Sequence, residues 1–177
     1  ATSYAGTWAA SGQIPARAVD SGELPYFGYV DKTEGGASSR HNVYLQLTHR
    51  DSKQELTALL YYSLYAFKLY SNFTLYARDT ENGDQIGQTD DRWMFGADAA
   101  YEKWTTIGDT QALVTAGVQL RSDDVETSLV HAAKRERLAM CFDEGTNPCN
   151  HTNNGIRTLS AYVEADVFEA GQEHLAH

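Results

Sequence analysis

From Asn42 onward, apolar and polar residues alternate with a period of two, the spacing that puts successive side chains on opposite faces of a β-strand. In Val43–Arg50, Val43, Leu45 and Leu47 fall on one face and Tyr44, Gln46, Thr48 and Arg50 on the other. In Trp93–Trp104 the apolar face is Trp93, Phe95, Ala97, Ala99 and Tyr101, opposite Met94, Gly96, Asp98, Ala100 and Glu102. Gln111–Arg121 sets Ala112, Val114, Ala116, Val118 and Leu120 against Gln111, Thr115, Gln119 and Arg121. Ile156–Phe168 sets Leu159, Ala161, Val163, Ala165 and Val167 against Thr158, Ser160, Tyr162, Glu164 and Asp166. Each segment reads as a strand with one greasy and one wet face.

Glu55–Arg78 is the longest such segment. Leu56, Ala58, Leu60, Tyr62 and Leu64 define its first apolar face, and from Phe67 the apolar set moves to odd positions. Such a phase change marks a bulge or a change in the strand's surroundings. At about 3.3 Å per residue the segment would reach on the order of 80 Å, far more than a bilayer crossing requires. The connections alternate in length: Asp51–Gln54 is tight, Asp79–Asp91 longer, Thr105–Thr110 short and Ser122–Gly155 very long, while Ala1–Arg40 reads as loop. Outer-membrane barrels sort short periplasmic turns and long extracellular loops in this way. The expected fold is therefore all-β, an antiparallel transmembrane β-barrel segment of about five long strands. A secreted antiparallel β-protein, with the same alternation as core against solvent, is the alternative.

Composition narrows the choice. Lys and Arg number 14 against 24 Asp and Glu, a net charge of −10, which excludes the basic stripe that nucleic-acid binding requires. The longest uncharged apolar run, Leu56–Phe67, is too short for a membrane-spanning helix. The chain opens at Ala1 with no basic or apolar leader, so any signal peptide is expected outside it. Cys141 and Cys149 flank Gly145 and Asn147-Pro148, turn formers that let the chain reverse, and a disulfide is expected there.

Several ordered words then resemble a known family. Tyr4-Ala-Gly-Thr-Trp8 followed by Ser11-Gly-Gln-Ile-Pro15-Ala-Arg-Ala18 is similar to a loop of proteobacterial TonB-dependent receptors. Asp31–Arg40, Tyr65–Thr74, Gly83–Arg92 and Ala116–Arg121 with Asp123 continue the resemblance over most of the chain. It implies part of a bacterial outer-membrane receptor for active uptake of a scarce small-molecule ligand, often a ferric siderophore. Its implied partners are outer-membrane lipid, lipopolysaccharide and TonB, the last through a plug region not seen here. Family barrels have about 22 strands, so residues 1–177 are expected to be part of the barrel domain, with 1–40 mostly extracellular loop and 41–177 strands and loops. A free-standing passive porin would need at least about eight strands.

No catalytic constellation appears: there is no phosphate-binding Gly-Lys-Ser/Thr loop and no Gly-x-Ser-x-Gly elbow, so neither an enzyme nor a cofactor is expected. Arg40, Arg92 and Arg121 sit at loop–strand boundaries, where forked bonds could meet an anionic ligand, or pair with Asp90, Asp91 and Asp123. Asp79, Glu81, Asp84, Asp90 and Asp91 make an acidic loop without EF-hand spacing, read as a solvated face. Val125–Met140 reads either as a helix with Val125, Leu129, Ala132 and Ala133 on one side, or as a two-stranded extension. His174 and His177 read as a frayed tail, and the two Asn-x-Thr sequons as chance.

Overall fold

A computed structural model describes residues 1–142 and 145–168; the terminal histidines lie outside them. The elements in chain order are β1 (Thr2–Ala9), α1 (Ala16–Asp20), β2 (Gly35–Arg50), β3 (Gln54–Ser71), β4 (Ile86–Ile107), β5 (Thr110–Ala133), β6 (Glu136–Arg137) and β7 (Asn150–Phe168). They form a seven-stranded antiparallel sheet in the order β1-β2-β3-β4-β5, with both β6 and β7 paired to β5. The all-β class is as expected. The sheet does not close, and β1 and β7 have one neighbour each.

The strand positions depart from the sequence reading mainly where apolar alternation is missing. Residues 1–40 are not all loop: β1 pairs with the first half of β2, from Thr2↔Asn42 to Ala9↔Gly35, and Pro15 leads into the short helix α1. In Gly35–Arg40 both faces are small or polar, so hydrophobic periodicity cannot announce the strand. β3 ends at Ser71 rather than Arg78, and β4 begins at Ile86, so the loop expected over Asp79–Asp91 runs from 72 to 85. β5 continues through Ala133, inside the expected long insertion, and the connection to β7 is correspondingly shorter.

The helical reading of Val125–Met140 is overturned. The segment completes β5 and turns back as β6, with Ala132↔Arg137 and Ala133↔Glu136 in register. Lys134 and Arg135 take φ of 52° and 70°, the left-handed pair that a two-residue hairpin turn demands. The alternative two-stranded extension is the one present.

The described chain divides into two compact units. The first comprises residues 1–42, 63–93 and 124–155 and contains every long connection; the second comprises 43–62, 94–123 and the segment from 156, and contains both tight turns. The apparent phase change in the long third strand falls near this boundary. β3 is continuous there, so what changes is its surroundings.

The first unit buries mostly polar groups. Among the described residues, Glu34, Ser63, Ser71, Asn72, Asp84, Gln85 and His131 are covered beside the hydrophobic Ala18, Tyr70, Ala132 and Cys141 alone. In the second unit Met94 and Ala112 are the only buried hydrophobic side chains among the described residues, Met94 keeping 8% exposure.

Candidate functional site

The second unit has its polarity reversed relative to a water-soluble sheet. Leu47 on β2, Leu60 on β3, Val118 on β5, and Leu159 and Val163 on β7 are exposed, the last two at 77% each. All belong to the apolar faces read from the sequence. β2 from Val43 and nearly all of β7 are exposed on both faces and Ala112 of the apolar face is buried, whereas on β4 and β5 the opposite face is in part better covered, with Met94 and Asp123 buried at 8% and 7% exposure. A Cβ on Gly96 would overlap the Tyr61 ring, and one on Gly117 the Tyr162 ring, so two tyrosines lie flat over glycines on this face. Leaving one Leu or Val exposed to water forgoes about 1.5–3 kcal/mol. The residues named lie on four strands of the unit, β2, β3, β5 and β7.

The three candidate arginines are placed separately. Arg92 grips Asp90 in a fork, Nε to Oδ1 at 2.9 Å and Nη2 to Oδ2 at 2.5 Å. Its guanidinium also stands 5.8 Å from the Tyr65 ring centroid. It lines a cavity of about 630 Å³ with His41, Asp91 and Glu126. Arg40 is exposed in β2, across from Tyr4 in the β1 register, and is not part of that lining. In the second unit, Arg121 donates through Nε to both oxygens of Asp123 at 3.0 Å, and Arg157 donates to the Asp123 carbonyl at 2.7 Å. The pairing with Asp90 and Asp123 that the sequence allowed is present.

The acidic loop is organised by internal donors. Asp84 accepts from the Thr74 hydroxyl at 2.6 Å and from the backbone amides of Ala77, Arg78 and Asp79 at 2.8–3.0 Å. Burial alone would raise its pKa, but these donors outweigh burial and hold it below the usual carboxylate value. Asp79 is lowered mainly by the Asn82 amide, which it caps. Among the described residues no group of three His, Cys, Asp or Glu is placed to hold a metal ion.

Two further clusters were not visible in the sequence. Asp31 takes the Thr33 amide and hydroxyl on one oxygen, and the Asn72 and Gln85 amides on the other at 3.1 Å each. Burial raises its pKa, and these four donors together bring it below normal. Neighbouring Glu34 goes the other way, pushed up by burial and then by the Asp31 charge. Gln85 closes the cluster, its Oε1 accepting from the Arg135 amide at 2.7 Å. Only chain folding brings these residues together.

The second cluster surrounds the disulfide that joins Cys141 to Cys149. His131, almost wholly buried, stacks on Phe142 at 3.9 Å and donates from Nε2 to the Gly83 carbonyl at 2.7 Å. Asn147 donates to the carbonyls of His131, Leu138 and Met140, and its Oδ1 accepts from the His131 amide. The bridged loop is thus fixed to both β5 and the 72–85 loop. Against this background of geometry, no family model, curated protein or solved structure matches the chain.

Proposed function

We propose that the chain is barrel wall and loops of a TonB-dependent receptor of the bacterial outer membrane, which takes up a scarce small-molecule ligand such as a ferric siderophore. The observation that carries the reading is the run of uncovered apolar side chains in the second unit, Leu47, Leu60, Val118, Leu159 and Val163, with Met94 and Asp123 buried on the other face of β4 and β5. A lipid-facing band with a polar interior has that arrangement. The long connections all fall in one unit, and the short turns after β2 and β4 in the other, the β5–β6 hairpin of the first unit apart; this supports it, as do the ordered family-like words from Tyr4 to Asp123. The open edges of β1 and β7 fit a segment that further strands would continue. In this reading lipopolysaccharide meets the outer rim, and TonB acts through the receptor's plug region.

The test is topological. A membrane-impermeant maleimide on intact cells is expected to label Asn82→Cys and Thr146→Cys but not Ser52→Cys. Labelling at Ser52→Cys with the outer membrane intact would overturn the reading, and recovery of the whole product in the aqueous fraction would favour a secreted β-domain.

A further inference from the structure

The disulfide cluster of the first unit holds a titratable group that the receptor reading does not use. His131 is 1% exposed, and each of its ring nitrogens faces a backbone group of fixed role. Nε2 lies 2.7 Å from the Gly83 carbonyl, which can only accept. Nδ1 lies 3.3 Å from the Phe142 amide, which can only donate. A neutral imidazole has one N–H and one bare nitrogen, so a single tautomer satisfies both neighbours, with the proton on Nε2. We propose that His131 is a pH-sensitive latch, which holds Phe142 while neutral and releases it on taking a second proton.

The second proton can go only to Nδ1, where it would meet the Phe142 N–H. The amide would lose its acceptor, and two donors would face each other beside a buried ring. The stacking adds to this. The imidazole and the Arg78 guanidinium stand 3.9 and 4.1 Å from the Phe142 ring centroid, too close to share one face, so the phenyl ring is held between them. A protonated His131 would set a second cation against that ring, where little water screens it. Phe142 also has a φ of 46°, a left-handed backbone that a residue with a side chain keeps only while its surroundings impose it.

The other charged groups of the cluster do not offset this. Among the described residues the carboxylate paired with His131 is Asp79, 3.8 Å from Nε2 and not at Nδ1. Asp84 is engaged by the amides of Ala77, Arg78 and Asp79, and from β6 Arg137 adds positive charge at the Asn147 carbonyl. Asp79 and Asp84 are held below the usual carboxylate range and stay charged in mild acid.

The release is confined to Phe142. A protonated ring still donates from Nε2 to Gly83, and Asn147 still grips the His131 backbone through its side-chain amide. Histidine changes charge between about pH 5 and 8. The closed latch needs the neutral form, so closure is present above that range and is lost as pH falls through it. The cluster lies wholly within the first unit and needs no bilayer, so the proposal goes beyond the receptor reading and stands or falls separately.

Nitrogen NMR of the histidine rings and amide hydrogen exchange test it, on the full chain in dodecylphosphocholine micelles. At neutral pH the His131 ring is expected as the Nε2–H tautomer. Between pH 7.5 and 5 the protection factor of the Phe142 amide should fall by about tenfold or more, in step with protonation of Nδ1, while the Ala77 and His131 amides keep theirs. His131→Gln, which offers a donor and an acceptor and takes no proton, should flatten the profile. Asp143→Asn with Glu144→Gln, neutralising the acids that follow Phe142 in sequence and lie outside the described residues, should leave it in place. An Nδ1–H tautomer at neutral pH, a flat profile in the unaltered chain, a fall that survives His131→Gln, or one that vanishes in the double variant would overturn the proposal. Should His131→Gln fail to fold, the tautomer and the unaltered chain's profile decide. Failure of membrane insertion bears on the receptor reading alone.

Discussion

The two units are assembled from the same kind of strand and held by different forces. In the first, hydrogen bonds join residues far apart in sequence: Asp31 with Asn72 and Gln85, His131 with Gly83, Arg135 with the Thr33 carbonyl. In the second, the ladder between strands is supplemented by a few side-chain contacts, such as Arg121–Asp123 and Tyr101 to Gln54 at 2.6 Å. Many of its large apolar side chains are exposed, Met94 and Ala112 being buried. A unit whose stability is written in buried polar contacts carries its own cohesion. In the proposed receptor, the second, whose apolar face is uncovered, would take its cohesion from the lipid around it. Loss of a single polar hub should therefore damage the first unit anywhere, whereas a change on the apolar face of the second should matter only in lipid.

The largest effect is expected at Asp84. Replacing buried Asp84 with Ala removes the acceptor for three backbone amides and the Thr74 hydroxyl in a loop whose other residues are mostly exposed. At about 1–3 kcal/mol per orphaned donor, partly recovered by water as the loop opens, the cost should be about 4 kcal/mol. Hydrogen exchange at Ala77, Arg78 and Asp79 measures it; protection unchanged in Asp84→Ala would show that the hub is idle. The pH dependence follows from direction. Asp84 is lowered in the fold, so its stabilisation is fully present above the unfolded value of 3.8 and is lost as pH falls through the lower folded value. Glu34 is raised, so its charged form costs stability at neutral pH, and that cost is relieved as pH falls toward 4.5. The loop should accordingly hold through mild acid and open only below about pH 3.8, the Asp84 reference value, with Asp84→Asn abolishing that transition.

The second unit is probed on β5, where Ala116 and Thr115 are neighbours on opposite faces. Ala116→Arg should cost about 2–4 kcal/mol for folding into lipid if the site lies near the midplane, and Thr115→Arg far less. Urea titration in vesicles compares the two. Equal costs would erase the distinction between the faces and with it the contrast between the units.

How much of this contrast was legible beforehand depends on what each unit uses to form its strands. Val43–Arg50, Trp93–Trp104, Gln111–Arg121 and Ile156–Phe168 announced themselves, because one face is apolar and the period shows. The polar ends of the same strands did not: Gly35–Arg40 became β2 through its pairing with β1, and residues 122–133 became β5 through pairing with β4 and β7. The polar clusters were invisible for a related reason. Asp31 and Gln85 are 54 residues apart, and no local spacing announces their contact. The disulfide was accessible because only two cysteines were present and the chain between them could turn. The pairing of Arg92 and Arg121 was accessible because each partner lies two residues away.

The disulfide should have a smaller, confined effect. Its ends are separated by 8 residues, for which loop-closure entropy gives about 2.5 kcal/mol. Cys141→Ser with Cys149→Ser should loosen the contacts of Phe142 and Asn147 with His131, while the second unit, which holds none of these residues, keeps its protection. Exchange rates rising equally at Leu120 and Leu129 would show that the units do not behave separately.

The smallest effect is expected at Arg92, and it separates two roles for the rim arginines. As the fork on Asp90, with side chains 36% and 26% exposed, it belongs among partly screened pairs, which contribute about 0.2–1 kcal/mol. Arg92→Gln should therefore lower stability by less than about 1 kcal/mol. A double-mutant cycle with Asp90→Asn isolates the pair, and its coupling should shrink between 0.05 and 0.5 M salt as the Debye length falls from about 14 to 4 Å. If Arg92 serves instead to meet an anionic ligand, removing Asp90 should strengthen citrate binding, because the carboxylate competes for the same guanidinium face. If it serves only the fold, Asp90→Asn should lower stability slightly and leave the protein indifferent to citrate. The second result is the one expected, since the fork already occupies Nε and Nη2.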